Sequence, residues 1–560
     1  MLENARKRPE DLAFRRRAGG AWEATTWSEY GAAVQSAGEA LIASGIEVGD
    51  RVAIFSYNTP EWVILDVAAM AIGAVPVGVY FSSSAEEVAE VLELSRSRIV
   101  LAGSGAQVAK VQADAHPDLD LIIAVEGGSD RAISWEGFLD RASDAPLGSF
   151  GERLAQLGPG DPATLIFTAA GFGGSVGAVL THDNLVAASG AAVDLFEPTA
   201  SDRVLSYLPL SHIAEQMFTI HIPAHAGFSV AFAQSVGRIR VDLPDIKPTI
   251  FFSVPLVWSG FERAIGTRIE ALTGVRARVA RWSMRVCRSD IAERNVGARR
   301  STMSRWSVAL ARRLFVDRVK EGAGLDEVRL AFSGAVSVRP STLEFFAGLD
   351  LLIREVYGLS EASGPSVITR EGATRFGSVG LPFPGVDLDL ADDGEILLRG
   401  RPIFAGYLDQ PEATRRALRD GWLHTGDLGE IGPDGFLTIT GRKKDIVITT
   451  GGKNVCPQVI ERLLRCENGI EDAVVVGDGF DQLGVLVSVG AGRDPAQALC
   501  DAKAAVATVN QRFARAEQIR KIGLLPRALS VERGERTRDG TVKRDVVVSQ
   551  FSGAVADLYR

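Results

Sequence analysis

"GIEVGDRVAIFSYNTPEWVILDVAAMAIGAVPVGVYF", residues 45–81, sets the fold class. A short β-branched run, "RVAIF", leads through the turn "NTPEW" into an apolar stretch with helical spacing, and "AVPVGVYF" then returns as a second strand. Strand, helix and parallel strand within so few residues is the grammar of a βαβ unit. The pattern recurs outward from this segment, at "SRIVLAG", "LDLIIAVEG", "RVLSYLPL", "PTIFFSVPL" and "EVRLAFSG". An α/β fold with largely parallel strands layered by helices follows from the repetition.

The remainder of the chain bounds this reading. At 560 residues the chain is too long for one hydrophobic core, so two or more domains are expected. Hydrophobic residues make up 46% and charged residues 23%, the composition of a folded globular protein. A formal net charge of -9 gives no general support for a nucleic-acid partner. Cys287, Cys456, Cys466 and Cys500 show neither C-x-x-C spacing nor the density of a disulfide framework, so a reducing, cytoplasmic location is expected. The charged start "MLENARKRPEDLAFRRR" lacks a signal-peptide core, and no apolar run of about 18 residues reads as a membrane span.

Residues 276–320 differ in texture, being rich in Arg and Ala with helical spacing, and read as exposed helices whose charge is a solvated face. After Gly380 short strands with Gly, Pro and Asp turns take over, as in "GEILLRG" and "GWLHTGDLGEIGPDGFLTIT". The final part returns to β and α signals: "EDAVVVGD", "LGVLVSV", a helix over 502–516, and "IRKIGLLP". The expected organisation is a large domain over 1–441, ending in a β-rich lobe, and a small mobile α+β domain over 442–560.

Three strings carry candidate chemistry. In "VYGLSEASG", residues 356–364, Tyr357 and Gly358 suit the flank of a flat base, Ser360 a phosphate oxygen, and Glu361 a magnesium ion. Alone, the string reads equally as a strand-to-helix turn. "GWLHTGDLG" offers Asp427, a carboxylate able to accept from two ribose hydroxyls. "GRKKDIVITTGGKNV" adds the cationic fork of Arg442 and, at Gly451 and Gly452, backbone that a ligand can approach closely.

In this order, with "NTPEW", "LPLSHIAE", "GYLDQPEAT", "GFLTITGRKKD", "GGKNV" and "AEQIRK", the strings resemble the adenylate-forming superfamily over nearly the whole chain, and bacterial long-chain-type acyl-CoA synthetases most of all. The resemblance implies a large domain that holds an acyl-adenylate and a small one that rotates about Lys444 between an adenylating and a thioester-forming pose. It implies that Gly334, Ala335 and Val336 line the adenine, that Asp427 holds the ribose, and that Arg442 contacts the nucleotide. His212 would stand beside the acyl carbonyl, as a catalytic group or as a hydrogen-bonded pocket histidine. Gly451, Gly452 and Lys453 would line the coenzyme A tunnel, and Pro255 and Leu256 the acyl pocket, with Leu256 standing where the family has arginine.

The chain departs from the family twice. Where the family's phosphate loop reads approximately T-S-G-T-T-G-x-P-K-G, this chain has "TAAGFGGSVG", residues 168–177. Ala169 and Ala170 replace serine and glycine, Gly171 and Phe172 the two threonines, and Val176 the lysine. Near the end, "RTRDGTVKR" puts Thr541 where the family has the lysine that stabilises charge during adenylation; Lys543 lies two residues further on. Losing one preorganised charge-stabilising donor costs about 100-fold to 1,000-fold in rate. Thioester formation from an adenylate needs neither group. The expectation is therefore an acyl-CoA ligase that takes CoA and a preformed acyl-adenylate, AMP leaving, with ATP and magnesium not required and a separate adenylating enzyme as partner. This split chemistry resembles the acyl-CoA ligase pair of the platensimycin and platencin pathways, where the acid is a bulky diterpenoid. A complete ATP-dependent synthetase and a non-catalytic adenylate-binding protein are the alternatives.

Overall fold

The structure, a computed structural model, describes residues 1–127, 130–170, 174–298, 301–448, 450, 454–467, 469–489, 494–537 and 540–560. The opening βαβ unit forms as read. Arg51–Phe55 and Val75–Gly78 pair in parallel, and Ile99–Ala102 and Leu121–Ala124 continue the sheet on the other side. Their connecting helix, Pro60–Ala71, starts where Thr59 accepts a hydrogen bond from the Trp62 N–H at 3.2 Å and Pro60 presets the first turn. It is apolar nearly all round because it is buried nearly all round, with Trp62, Val63 and Leu65 in the main core.

The later β signals do not extend this sheet. Arg203–Ser206 joins a four-stranded sheet with Ser229–Phe232, Leu12–Ala18 and Ala21–Thr26. Ile250–Ser253, Leu330–Ser333 and Ile353–Leu359 form a second parallel set, which Gly364–Ile368 closes in antiparallel fashion. The fold is thus mixed α/β with several layered sheets, and the faces between them bound one large cavity. The β-rich lobe pairs Glu395–Gly400 with Trp422–Ile431, and that strand with Leu437–Arg442.

The closing segment carries its own core. Ile470–Val476, Leu483–Val489 and Ile519–Leu524 form a three-stranded sheet. Ile460, Leu464, Val475, Val485 and Val506 pack against one another within it. The helix expected over 502–516 instead spans Pro495–Asn510, because Asp494 accepts from the Gln497 N–H at 3.1 Å and Pro495 opens the first turn.

Candidate active site

A cavity of about 1130 Å³ lies between the large domain's sheets and the closing segment. Part of its polar lining is built on the β-rich lobe. Asp427 and Arg442 are register partners on adjacent antiparallel strands, so their side chains meet across the ladder. Arg442 Nε lies 3.1 Å from Asp427 Oδ1, and the Tyr357 hydroxyl donates to Asp427 Oδ2 at 2.9 Å. Burial pushes the Asp427 carboxyl upward, while Arg442 and Tyr357 pull it down. Each carboxylate oxygen has a second lone pair, so Asp427 keeps acceptor capacity for two hydroxyls.

Tyr357 is placed differently from its neighbours in the string. It does not line the cavity, whereas its neighbours Val356 and Gly358 do. Strand alternation turns the ring into the core, where its hydroxyl positions Asp427. Gly358 needs to be glycine: a Cβ there would lie 1.7 Å from the Gly364 carbonyl oxygen. Ser360 and Glu361 follow in a tight turn, Ser360–Ala362, and both line the cavity. Glu361 accepts from the Tyr407 hydroxyl at 2.8 Å, and burial raises its carboxyl. One buried carboxylate facing a ligand cavity fits magnesium, which is commonly held by one or two carboxylates together with substrate phosphates. Among the described residues no cluster of three or more potential ligands exists, so such an ion would depend on Glu361 and the substrate.

Gly334 and Ala335 line the cavity and Val336 does not. Ala335 adopts a φ of 72°, a left-handed conformation that costs a non-glycine residue of the order of 1 kcal/mol and places its backbone at the wall. His212 also lines the cavity. As N-cap of Ile213–Gln216 its Nδ1 accepts from the Ala214 N–H at 3.1 Å, which puts the proton of the neutral ring on Nε2. That bond favours the pocket-histidine reading and leaves Nε2–H as the ring's remaining donor.

The apolar lining corrects an expectation. Leu256 is 73% exposed and neither it nor Pro255 lines the cavity. Pro255 opens the helix Pro255–Glu270, and its first turn carries Leu256 outward. The wall there comes from Phe252 and Val254, one to three residues earlier. Phe252 stacks on Phe218 with ring centroids 4.9 Å apart, and Phe332 and Phe196 add to the aromatic lining. Ordinary strand composition hides these rings from sequence reading, since Phe in a strand is usually core.

Val176 is buried opposite Thr168 in the hairpin Pro162–Ala170 and Gly174–Thr181, and it does not line the cavity. The backbone of Ala169 and Ala170 pairs with Ser175 and Gly174. Phe172, Gly451, Gly452 and Lys453 lie outside the described residues. Lys444 and, from the closing segment, Thr537 and Lys543 line the cavity, whereas Thr541 does not. Lys443, which the motifs did not single out, lies 3.1 Å from the buried Glu395 carboxylate, which also meets His424 Nδ1 at 3.0 Å and the Gly426 N–H at 2.9 Å. The segment preceding Lys444 is thereby anchored to the large domain's lobe.

Comparison with known proteins places these features in context. Residues 1–408 match the model of the AMP-binding enzyme family, and residues 444–560 match the AMP-binding enzyme C-terminal domain. The long-chain-fatty-acid–CoA ligase FadD15 of Mycobacterium bovis is 34% identical, covering 100% of this chain and 96% of the relative. Human long-chain-fatty-acid–CoA ligase ACSBG2 is 32% identical, covering 84% of this chain and 72% of the relative. Among solved structures, ATP-bound MatB from Rhodopseudomonas palustris is 23% identical with a TM-score of 0.75, covering 98% of both chains. A Mycobacterium tuberculosis fatty acyl CoA synthetase is 21% identical with a TM-score of 0.67, covering 99% of this chain and 97% of the other, and both likenesses speak for the fold.

Proposed function

The chain belongs to the AMP-binding enzyme family, and we propose from that premise that it is an acyl-CoA ligase joining a long or bulky apolar carboxylic acid to coenzyme A through an acyl-adenylate. The observation that carries this reading is the mixed polar and aromatic lining of one large cavity. The Asp427–Arg442 pair, Glu361 and Ser360 share its lining with the rings of Phe196, Phe218, Phe252 and Phe332. Asp427 would hold the ribose hydroxyls, Arg442 would face the nucleotide, and the rings would receive the acyl chain. The thiolate of CoA would attack the acyl carbonyl, AMP would leave with the bonding pair, and His212 Nε2–H would donate toward the carbonyl oxygen as negative charge builds there. Magnesium, where bound, would shield phosphate charge beside Glu361.

The source of the adenylate divides the proposal in two. A complete ATP-dependent cycle is the reading that the comparisons favour, since the full-length relatives are named as long-chain-fatty-acid–CoA ligases and Lys543 of the closing segment lines the cavity. The second reading, thioester formation from an adenylate made by a separate enzyme on an acid such as a diterpenoid, rests on Val176 and Thr541 standing where the family carries lysines. One experiment separates them. Purified protein with CoA receives each of a panel of acids, either free with ATP and magnesium or as synthetic acyl-AMP, and acyl-CoA is followed by mass spectrometry. Comparable rates in both arms support the complete cycle. Product from acyl-AMP alone supports the split reaction. Product in neither arm, with long-chain, aromatic and polycyclic acids all tried, refutes the ligase reading.

A further inference from the structure

Residues 274–320 hold twelve arginines and Lys320 against Asp290, Glu293 and Asp317, within a chain whose net charge is -9. This basic segment folds as the helix Gly274–Asn295 followed by Thr302–Ala311, which continues through a wide turn, Arg312–Val316, into Asp317–Glu321. The second helix is amphipathic in an unusual sense. Its inner face buries Val308, Ala311 and Val316. Its outer face carries a second apolar stripe: Met303 is 76% exposed, Trp306 73%, Leu310 50% and Leu314 47%. The spacing i, i+3, i+7 and i+11 puts all four on one side.

Exposed arginines accompany the stripe, Arg313 beside Leu310 and the others elsewhere on the two helices. Arg305, Arg312 and Arg313 are exposed on the same helix, and Arg276, Arg278, Arg281 and Arg285 on its neighbour. Leu314 also lines a groove of about 480 Å³ shared with the end of the helix Pro255–Glu270, where Ile269 and Leu272 lie with Arg268, Arg276 and Arg318. A solvated face has no use for an exposed Trp, Met and two Leu in line. Local positive charge opposite in sign to the whole chain selects an anionic partner.

We propose that this helical face docks the protein on an anionic lipid surface, with Met303, Trp306, Leu310 and Leu314 entering the headgroup boundary and the surrounding guanidinium groups meeting lipid phosphates. An apolar Trp and Leu stripe on an arginine-rich helix pair is the pattern of helices that lie in a membrane interface, where long cationic side chains reach outward from an apolar body. No helix among the described residues is long and apolar enough to cross a membrane, so the contact is peripheral.

The test is co-sedimentation of the full chain with vesicles of phosphatidylcholine alone or mixed with phosphatidylglycerol, at low and raised salt. Binding to the mixed vesicles only, weakened by salt, is expected. The substitution Arg313→Glu should weaken the partition at least about fivefold, and Trp306→Ser with Leu310→Ser roughly tenfold or more. Leu147→Ser, an exposed apolar change outside the segment, should leave it unchanged. Circular dichroism of each variant separates lost docking from lost folding. No preference for anionic vesicles, or equal binding by the stripe variants, overturns the proposal. So does a dimer in light scattering that Trp306→Ser dissociates, or retention by duplex DNA without retention by vesicles.

Discussion

Asp427 has both carboxylate oxygens engaged before any ligand arrives, one by Arg442 and one by the Tyr357 hydroxyl. Asp427→Asn keeps the shape and removes the charge that opposes Arg442. Hydrogen bonds to a charged group contribute about 1.5–3 kcal/mol, so the KM for acyl-AMP should rise roughly 10-fold to 100-fold in steady-state assays. Lys543 tests the closing segment. If it takes over the task that Thr541 cannot perform, Lys543→Ala should lower acyl-CoA formation from acid and ATP by about 100-fold or more and spare formation from acyl-AMP. Equal rates for variant and parent in the ATP arm would remove Lys543 from the chemistry. Glu215 supplies a pH test. Its Oε1 accepts from Ser206, Tyr207 and Thr219, and burial pushes the carboxyl from an ordinary 4.5 up to about 7. Between those values the folded chain keeps a proton that the unfolded chain releases, so stability falls as pH rises toward 7 and then levels. Glu215→Gln removes this dependence. Its unfolding midpoint relative to the parent should therefore rise between pH 5 and 7.5 in thermal melts.

At the scale of elements, the strand Ile353–Leu359 shows how much one register decides. It sends Val356 and Gly358 to the cavity and Tyr357 to the core, and its bulge lets Gly358 pass against Gly364. Gly358→Ala places a methyl inside the Gly364 carbonyl and should lower stability by more than about 2 kcal/mol, read as the shift in a denaturant midpoint. The strand Ile250–Ser253 and the helix after it divide the acyl wall. Phe252→Ala should move the preferred acid toward bulkier members of a panel, whereas Leu256→Ser, on exposed surface, should leave the preference unchanged. The motif strings were legible as chemistry because their residue types are chosen by ligands. The aromatic wall was not, because rings facing a cavity and rings packed in a core obey the same strand pattern.

At the scale of the molecule, the cavity is lined in part by a segment with a core of its own. Lys443 is tied to Glu395 of the lobe immediately before Lys444. A rotation about Lys444 would have to leave that anchor in place and swing the remainder. Lys444→Pro fixes one backbone dihedral at the pivot and should reduce thioester formation from acyl-AMP more than tenfold while leaving acyl-AMP binding within about twofold, by equilibrium dialysis.

The sequence by itself determined the βαβ start, the mixed α/β class, the Asp427 and Arg442 strings, and the two departures from the family pattern. Each is written in hydrophobic period, turn residues or ligand-selected side chains within a few positions of one another. Tertiary structure alone decided that the later strands split among several sheets, that Leu256 faces solvent and Tyr357 the core, that Lys543 reaches the cavity, and that an apolar stripe lies outside the basic helices. Those outcomes depend on which faces of distant elements meet, and a face is assigned only when its partner is packed against it.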